Sequence, residues 1–169
     1  MPLDILERRV DAWIAAGATD LMGLDSEEPP HLPFKSDHPG QVAFPGGKID
    51  PGEDAVEAAL REAWEELGIR ERDVTVIGTS DVYRTGSGYA ITPVLAVVPP
   101  DIELNPSPTE VARWFEAPVD FVFDDANHTV HSGFWQGQER RYIEILWQEH
   151  RIWGVTAGII ANLAKRIAW

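Results

Sequence analysis

The sequence predicts an α/β protein of the α+β kind, an α/β/α sandwich with a mixed sheet between helices, and three observations carry that prediction. Apolar residues recur at helical spacing near both ends of the chain. Runs rich in β-branched and aromatic residues flank glycine turns in its middle and C-terminal parts. Between them, a glycine-proline loop opens directly into an acidic helix. A chain of 169 residues with 44% hydrophobic content can bury one core, so residues 1–169 are expected to form a single domain.

The elements follow in chain order. Leu3, Leu6, Val10, Trp13 and Ile14 predict an amphipathic helix over residues 1–16. Residues 17–35 read as irregular, because Gly23 interrupts Leu21-Met22-Gly23-Leu24 and Glu27-Glu28-Pro29-Pro30 is a loop signal. Gln41 to Phe44 is expected as a short strand. Pro45, Gly46, Gly47, Pro51 and Gly52 then force a turned loop. Asp54, with Glu57 three positions on, forms a capping-box start for a helix carrying Ala55, Ala58, Ala59 and Ala63 on its inner face, and Gly68 closes it. Val74 to Tyr83 and Tyr89 to Val98 predict two strands joined by Gly86-Ser87-Gly88, while Val119 to Phe123 is ambiguous. Phe134 to Gln136 and Arg140 to Trp147 flank Gly137-Gln138-Glu139 as a second hairpin. Arg151 to Ile167 is expected as a helix with Ile152, Val155, Ile159, Ile160, Leu163 and Ile167 inward and Trp153 on the same face. The tryptophans are assigned mostly to core or interface.

Chemistry concentrates in the acidic helix. Glu62, Glu65 and Glu66 fall within five residues, and helical spacing projects them from roughly one side despite their mutual repulsion. Hard divalent cations with oxygen ligands, Mg²⁺ above all, suit such a cluster, because Mg²⁺ is commonly held by a few carboxylates and shared with substrate phosphates. A net charge of −14 argues against nucleic acid as partner. It also requires cations wherever a polyanionic substrate meets these glutamates. No apolar run approaches the roughly 20 residues that span a bilayer, and the N-terminus mixes acids among its apolar residues, unlike a secretory signal. With no cysteine to form disulfides or thiolate zinc sites, a cytoplasmic protein without membrane partners is expected.

At the motif level, Gly47, five residues, Glu53, seven residues, and then Arg61-Glu62-Ala63-Trp64-Glu65-Glu66-Leu67-Gly68-Ile69 resembles the box of the Nudix hydrolase family at every defined position. The resemblance implies a Nudix fold and hydrolysis of a diphosphate linked to another group, with Mg²⁺ or Mn²⁺ as cofactor. By the same resemblance Glu62 and Glu66 are implied as metal ligands, Glu65 as ligand or base, Glu53 as a helper and Arg61 as the partner orienting the glutamates. Gly46 and Gly47 are implied to add backbone groups, Gly47 to the metal and both to the substrate. His38-Pro39-Gly40-Gln41-Val42-Ala43-Phe44-Pro45-Gly46-Gly47, continued by Asp50, is similar to the coenzyme A pyrophosphatase branch, as are Ile91 to Val94, Thr109 to Val111 and Ile152 to Thr156. The substrate so implied is coenzyme A or an acyl-CoA. A pyrophosphatase of ADP-ribose, nucleotide sugars, dinucleotides or nucleoside triphosphates, and a non-catalytic binding module, remain alternatives.

Residues 17–35 depart from that pattern, since relatives place two strands and an arginine there. Either Leu21 to Leu24 and Leu32 to Phe34 form short edge strands or a partner chain completes the sheet, so a homodimer is expected. Lys35 stands where relatives carry a basic residue, and His38 either stabilises its loop or touches phosphate. Glu110 has two readings, an added carboxylate near the metals or the start of a helix. Arg84, with Tyr83 and Thr85, either faces substrate or decorates a polar hairpin tip. For His128, His131 and His150, which share no ligand spacing, a surface role is expected.

Overall fold

The computed structural model describes residues 41–85, 88–135 and 137–167. The N-terminal helix, the 17–35 segment, Lys35 and His38 lie outside the described residues. The chain is α+β: helix α1 (Ala55–Leu67), strands β1 (Thr75–Thr79), β2 (Tyr83–Arg84), β3 (Ala90–Ile91) and β4 (Val94–Val97), helix α2 (Val119–Phe123), strands β5 (Thr129–Trp135), β6 (Gln138–Trp147) and β7 (His150–Trp153), and helix α3 (Gly154–Ile167).

Helix α1 starts and stops where its end residues predict. The Asp54 carboxylate accepts from the backbone N–H groups of Val56 and Glu57, and the Glu57 carboxylate accepts from Asp54 N in return. Gly68 takes the left-handed conformation at φ 70°, and its N–H donates to the carbonyls of Ala63 and Trp64. Ala58 and Ala63 are buried, whereas Ala55 and Ala59 are half-buried, so the inner face is narrower than the alanine pattern suggests.

The ladders among the described residues are antiparallel. The predicted pair of long strands is present but broken: β1 pairs with β4 through a bulge between Val76 and Gly78, and β2 pairs with β3 nearer the tip. A hydrogen bond from Ser80 N to Pro93 O, 2.9 Å, links the two ladders. The second hairpin begins earlier than expected, at Thr129, because Thr129 to Gly133 pairs with Arg140 to Glu144 although its mixed polar letters hide a strand. Gly137 supplies its turn at φ 75°.

Three expectations are corrected here. Gln41 to Phe44 joins no ladder among the described residues; the segment is held by the Thr156 hydroxyl donating to Val42 O at 2.8 Å and by the burial of Ala43. The last helix begins at Gly154, not Arg151: Ile152 and Trp153 belong to β7, where Ile152 pairs with Ile145, and left-handed Gly154 (φ 64°) turns the strand into the helix. Ile152 is inward as expected, but through strand alternation, while Ile167 is exposed. Val119 to Phe123 resolves as a helix, with Val122 N donating to Pro118 O at 3.1 Å.

Among the described residues two clusters make the core. Ile145, Ile152, Ala157, Ile160, Phe115, Ala117 and Val122 join the β6–β7 face to α2 and α3, with Val42 and Phe44 packed against them. Ala63, Leu67, Ile69, Val98 and Val111 fix α1 to the end of β4. Burying side chains of this size contributes about 1.5–3 kcal/mol each before entropy is subtracted. The tryptophans are less buried than expected, since Trp64 and Trp114 are exposed. No described helix is long and apolar enough to cross a membrane.

Candidate active site

One guanidinium organises the acidic face of α1. Arg61 Nε donates to Glu53 Oε1 at 2.7 Å and Nη2 to Glu53 Oε2 at 3.2 Å. Its Nη1 donates to Glu62 Oε1 at 2.8 Å and to Glu65 Oε2 at 3.2 Å, one helical turn on, while Nη2 also reaches Lys48 O at 3.0 Å. A planar fork of five donors serves several acceptors at fixed angles, which a lysine ammonium cannot do. Arg61 and the Asp50 N–H hold the Glu53 carboxyl below its usual range, and Glu53 and Glu62 raise Arg61 above its own.

The loop before the helix closes the cluster. Glu66 is buried, and its carboxylate accepts from Gly46 N at 3.2 Å. At Gly47 a β-carbon would lie 2.0 Å from Glu62 Oε1, so the Glu62 carboxylate occupies space that only glycine leaves open. Behind the helix, Ser107 N donates to Glu66 O at 2.7 Å and Asn105 N to Leu67 O at 2.8 Å, tying the following loop to the C-terminal end of α1. Glu110 is exposed in that loop, in a turn whose N–H donates to Ser107 O at 3.2 Å; no helix starts there.

Three carboxylates therefore share one guanidinium, and Glu62 and Glu65 each give one of two oxygens to it. The donors are all oxygen, the set that hard divalent ions take. Among the described residues no three acidic or histidine side chains converge into a ready-made ion cage. The residues fit a divalent ion by donor chemistry and by the close seat of Glu62 on Gly47.

A family model described as the NUDIX domain matches residues 24–133. The chain belongs to the Nudix family. Curated Nudix relatives agree: a protein named Nudix hydrolase NudL from Photorhabdus laumondii is 39% identical over 131 residues, covering 77% of this chain and 70% of its own length. NudL of Escherichia coli K12 is 38% identical over 131 residues, covering 77% and 68%. Among solved structures, a Caenorhabditis elegans Ap4A hydrolase complex is similar at TM-score 0.46 and 22% identity, covering 63% of this chain and 67% of that one. As a Nudix protein, the chain is a hydrolase of pyrophosphate bonds, in a family that acts on small nucleotide substrates and works with divalent metal ions.

In the Nudix site Glu53, Arg61, Glu62, Glu65, Glu66, Gly46 and Gly47 come together as a unit. Arg84 is exposed on β2, with Tyr83 half-buried beside it. The histidines differ from a plain surface role: His150 is mostly buried and stacks on Phe115 with ring centroids 3.6 Å apart. His131 Nε2 lies 3.0 Å from Glu144 Oε1, and His128 Nε2 2.7 Å from Val122 O. Sequence reasoning missed the contact between Tyr83 and Gly158 on α3; its signal was a glycine inside a helical run, which often marks a close approach.

Proposed function

We propose that the chain hydrolyses the diphosphate linkage of coenzyme A or an acyl-CoA with Mg²⁺ or Mn²⁺, in the cytoplasm and as a homodimer. The observation that carries the reading is the shared clamp of Arg61 on Glu53, Glu62 and Glu65, with Glu66 held on the Gly46 N–H. Mutually repelling carboxylates are retained on one helix face where a cation between them and a polyanion offsets the repulsion. Glu62, Glu65, Glu66 and the Gly47 backbone would hold the ion. A divalent ion bound there supplies charge neutralisation of the diphosphate and a lowered pKa for attacking water.

The chain's own residues do the rest. Arg61 keeps the glutamates in position, so substrate meets a preorganised set of acceptors; phosphoryl chemistry depends mainly on such positioning and charge stabilisation. Glu65, the most exposed carboxylate of the clamp at 48%, would take a proton from water, and Glu110 is the second candidate for that role. Lys35, His38 and Arg84 are the proposed cationic contacts to the phosphates, with the Gly46–Gly47 backbone alongside. The coenzyme A assignment rests on the likeness of His38 to Gly47 and Ile152 to Thr156 to that branch.

A panel of coenzyme A, ADP-ribose, diadenosine and nucleoside-triphosphate substrates, each with Mg²⁺ and with Mn²⁺, tests the reading. Fastest turnover of coenzyme A is expected. Preference for another member of the panel would overturn the substrate, and no turnover of any would favour a binding module.

A further inference from the structure

Strand β5 runs in unbroken register with β6, from Thr129 opposite Glu144 to Trp135 opposite Gln138, and its other edge joins no ladder among the described residues. Edge strands of this length are ordinarily guarded against further pairing by a charged side chain, a proline or a bulge. Thr129 to Trp135 holds no Asp, Glu, Lys, Arg or Pro and no bulge, in a chain whose net charge is −14. Its histidine, His131, is turned across β6 to the Glu144 carboxylate at 3.0 Å. Two copies of so acidic a protein repel over most of their surfaces, and an uncharged strand is where they can approach.

The same register fixes the faces of the strand. Val130 stands opposite Ile143, Ser132 opposite Arg141 and Phe134 opposite Glu139, so Val130, Ser132 and Phe134 share the sheet face of Ile143 and Ile145. Ile145 lies in the core and Ile143 packs against it. Val130 and Phe134 carry that apolar face on to the open edge, where they are 56% and 81% exposed. In an antiparallel pair about a two-fold axis, the residues equally far before and after the axis oppose each other. An axis at Ser132 therefore sets Val130 of each copy against Phe134 of the other, and it also brings the full length of β5 into the ladder, since Ser132 is the midpoint of Thr129–Trp135. An axis at His131 or Gly133 separates the two apolar residues.

From this pattern we infer that β5 is the surface on which a second copy of the chain pairs, edge to edge and antiparallel, with the two-fold at Ser132. Each symmetric half of the contact then covers one valine and one phenylalanine, a cross-strand pair of the kind that stabilises sheets. The inference rests on the homodimer proposed above and adds where, and in which register, the copies meet.

The test reads association by sedimentation for wild type, Val130→Glu, Phe134→Lys and the double variant, with thermal melts of each. Four residues apart on one strand, about 13 Å, the two positions cannot pair within a copy. Across the two-fold, each introduced carboxylate meets an introduced ammonium. Either single substitution is expected to weaken the dimer by roughly 10–100-fold, because both halves of the contact gain an unpaired charge. The double variant is expected to return to within about 10-fold of wild type. Since the chain has no cysteine, Ser132→Cys is expected to form a disulfide-linked dimer on mild oxidation, whereas Asn162→Cys on the exposed side of α3 is not. If a charged variant melts below the assay temperature, the two cysteine variants alone read the register. Single variants that sediment like wild type, a double variant no better than the singles, or equal cross-linking of the two cysteine variants overturns the inference while a dimeric wild type keeps the homodimer. A wild type that stays monomeric overturns both, and the diphosphatase reading fails separately, on the substrate panel.

Discussion

At the scale of single residues, Gly47 and Arg61 matter because each does something no other residue type can. Gly47 leaves room for the Glu62 carboxylate, and an alanine there would place its β-carbon on top of that oxygen. Gly47→Ala is expected to cost about 100-fold in kcat/KM, the scale of a displacement of about 1 Å at a reacting site, with the melting temperature little changed. Steady-state kinetics beside a thermal melt check this, and unchanged kinetics would remove Gly47 from the site. The motif made these residues legible in sequence, since the spacing from Gly47 to Gly68 carries them. What it could not supply was the wiring: that Glu53 and Glu65 meet on the same guanidinium depends on the loop folding back, through contacts such as Lys48 O, onto the helix.

Away from the site, Glu144 gives a pH signature. Arg151 and then His131 hold its carboxyl below the ordinary value of 4.5. A depressed carboxyl stabilises the fold fully above that ordinary value, and the contribution disappears as pH falls through the lower folded one. Glu144→Gln is therefore expected to melt below wild type at neutral pH, with the gap narrowing in acid as wild type loses its advantage. A gap that stays constant from pH 7 to pH 3 would contradict the assignment.

At the scale of elements, local signals and tertiary ones separate cleanly. The acidic helix was legible at both ends because its stop signals are chemical: a capping carboxylate and a glycine with positive φ. Asp54→Ala is expected to cost about 1 kcal/mol by denaturant unfolding, since two N–H groups lose their acceptor. The β7–α3 junction was not legible, because Ile152 sits at a spacing that suits a helix while its partner Ile145 lies in another strand. Only the pairing tells the two apart. Ile152→Ala should cost about 2–5 kcal/mol, as for other fully buried isoleucines, whereas Ile167→Ala at the exposed end of α3 should cost under about 0.5 kcal/mol. Equal effects would restore the longer helix. The Gln41 to Phe44 segment shows the same limit, since this short run is tied to α3 by the Thr156 hydroxyl and joins no ladder among the described residues.

At the scale of the whole molecule, charge and edges decide what the protein meets. A net charge of −14 repels a polyanionic substrate until cations intervene, and the carboxylate face of α1 is the proposed place where a small diphosphate and a divalent ion meet. Strand β5 leaves one edge unpaired among the described residues and carries exposed Val130 and Phe134, which suits association with a second copy. Sedimentation at micromolar concentration is expected to show a dimer, and a monomer throughout would contradict the proposed homodimer. The central claim concerns the glutamates, and the most direct measurement is cleavage of coenzyme A in Mg²⁺ by wild type, Glu65→Gln and Glu66→Gln. Each substitution removes a charge and keeps the volume, so turnover should fall by several orders of magnitude while the melting temperature holds. Near-wild-type cleavage by both variants would contradict the claim that these carboxylates and a divalent ion drive the hydrolysis.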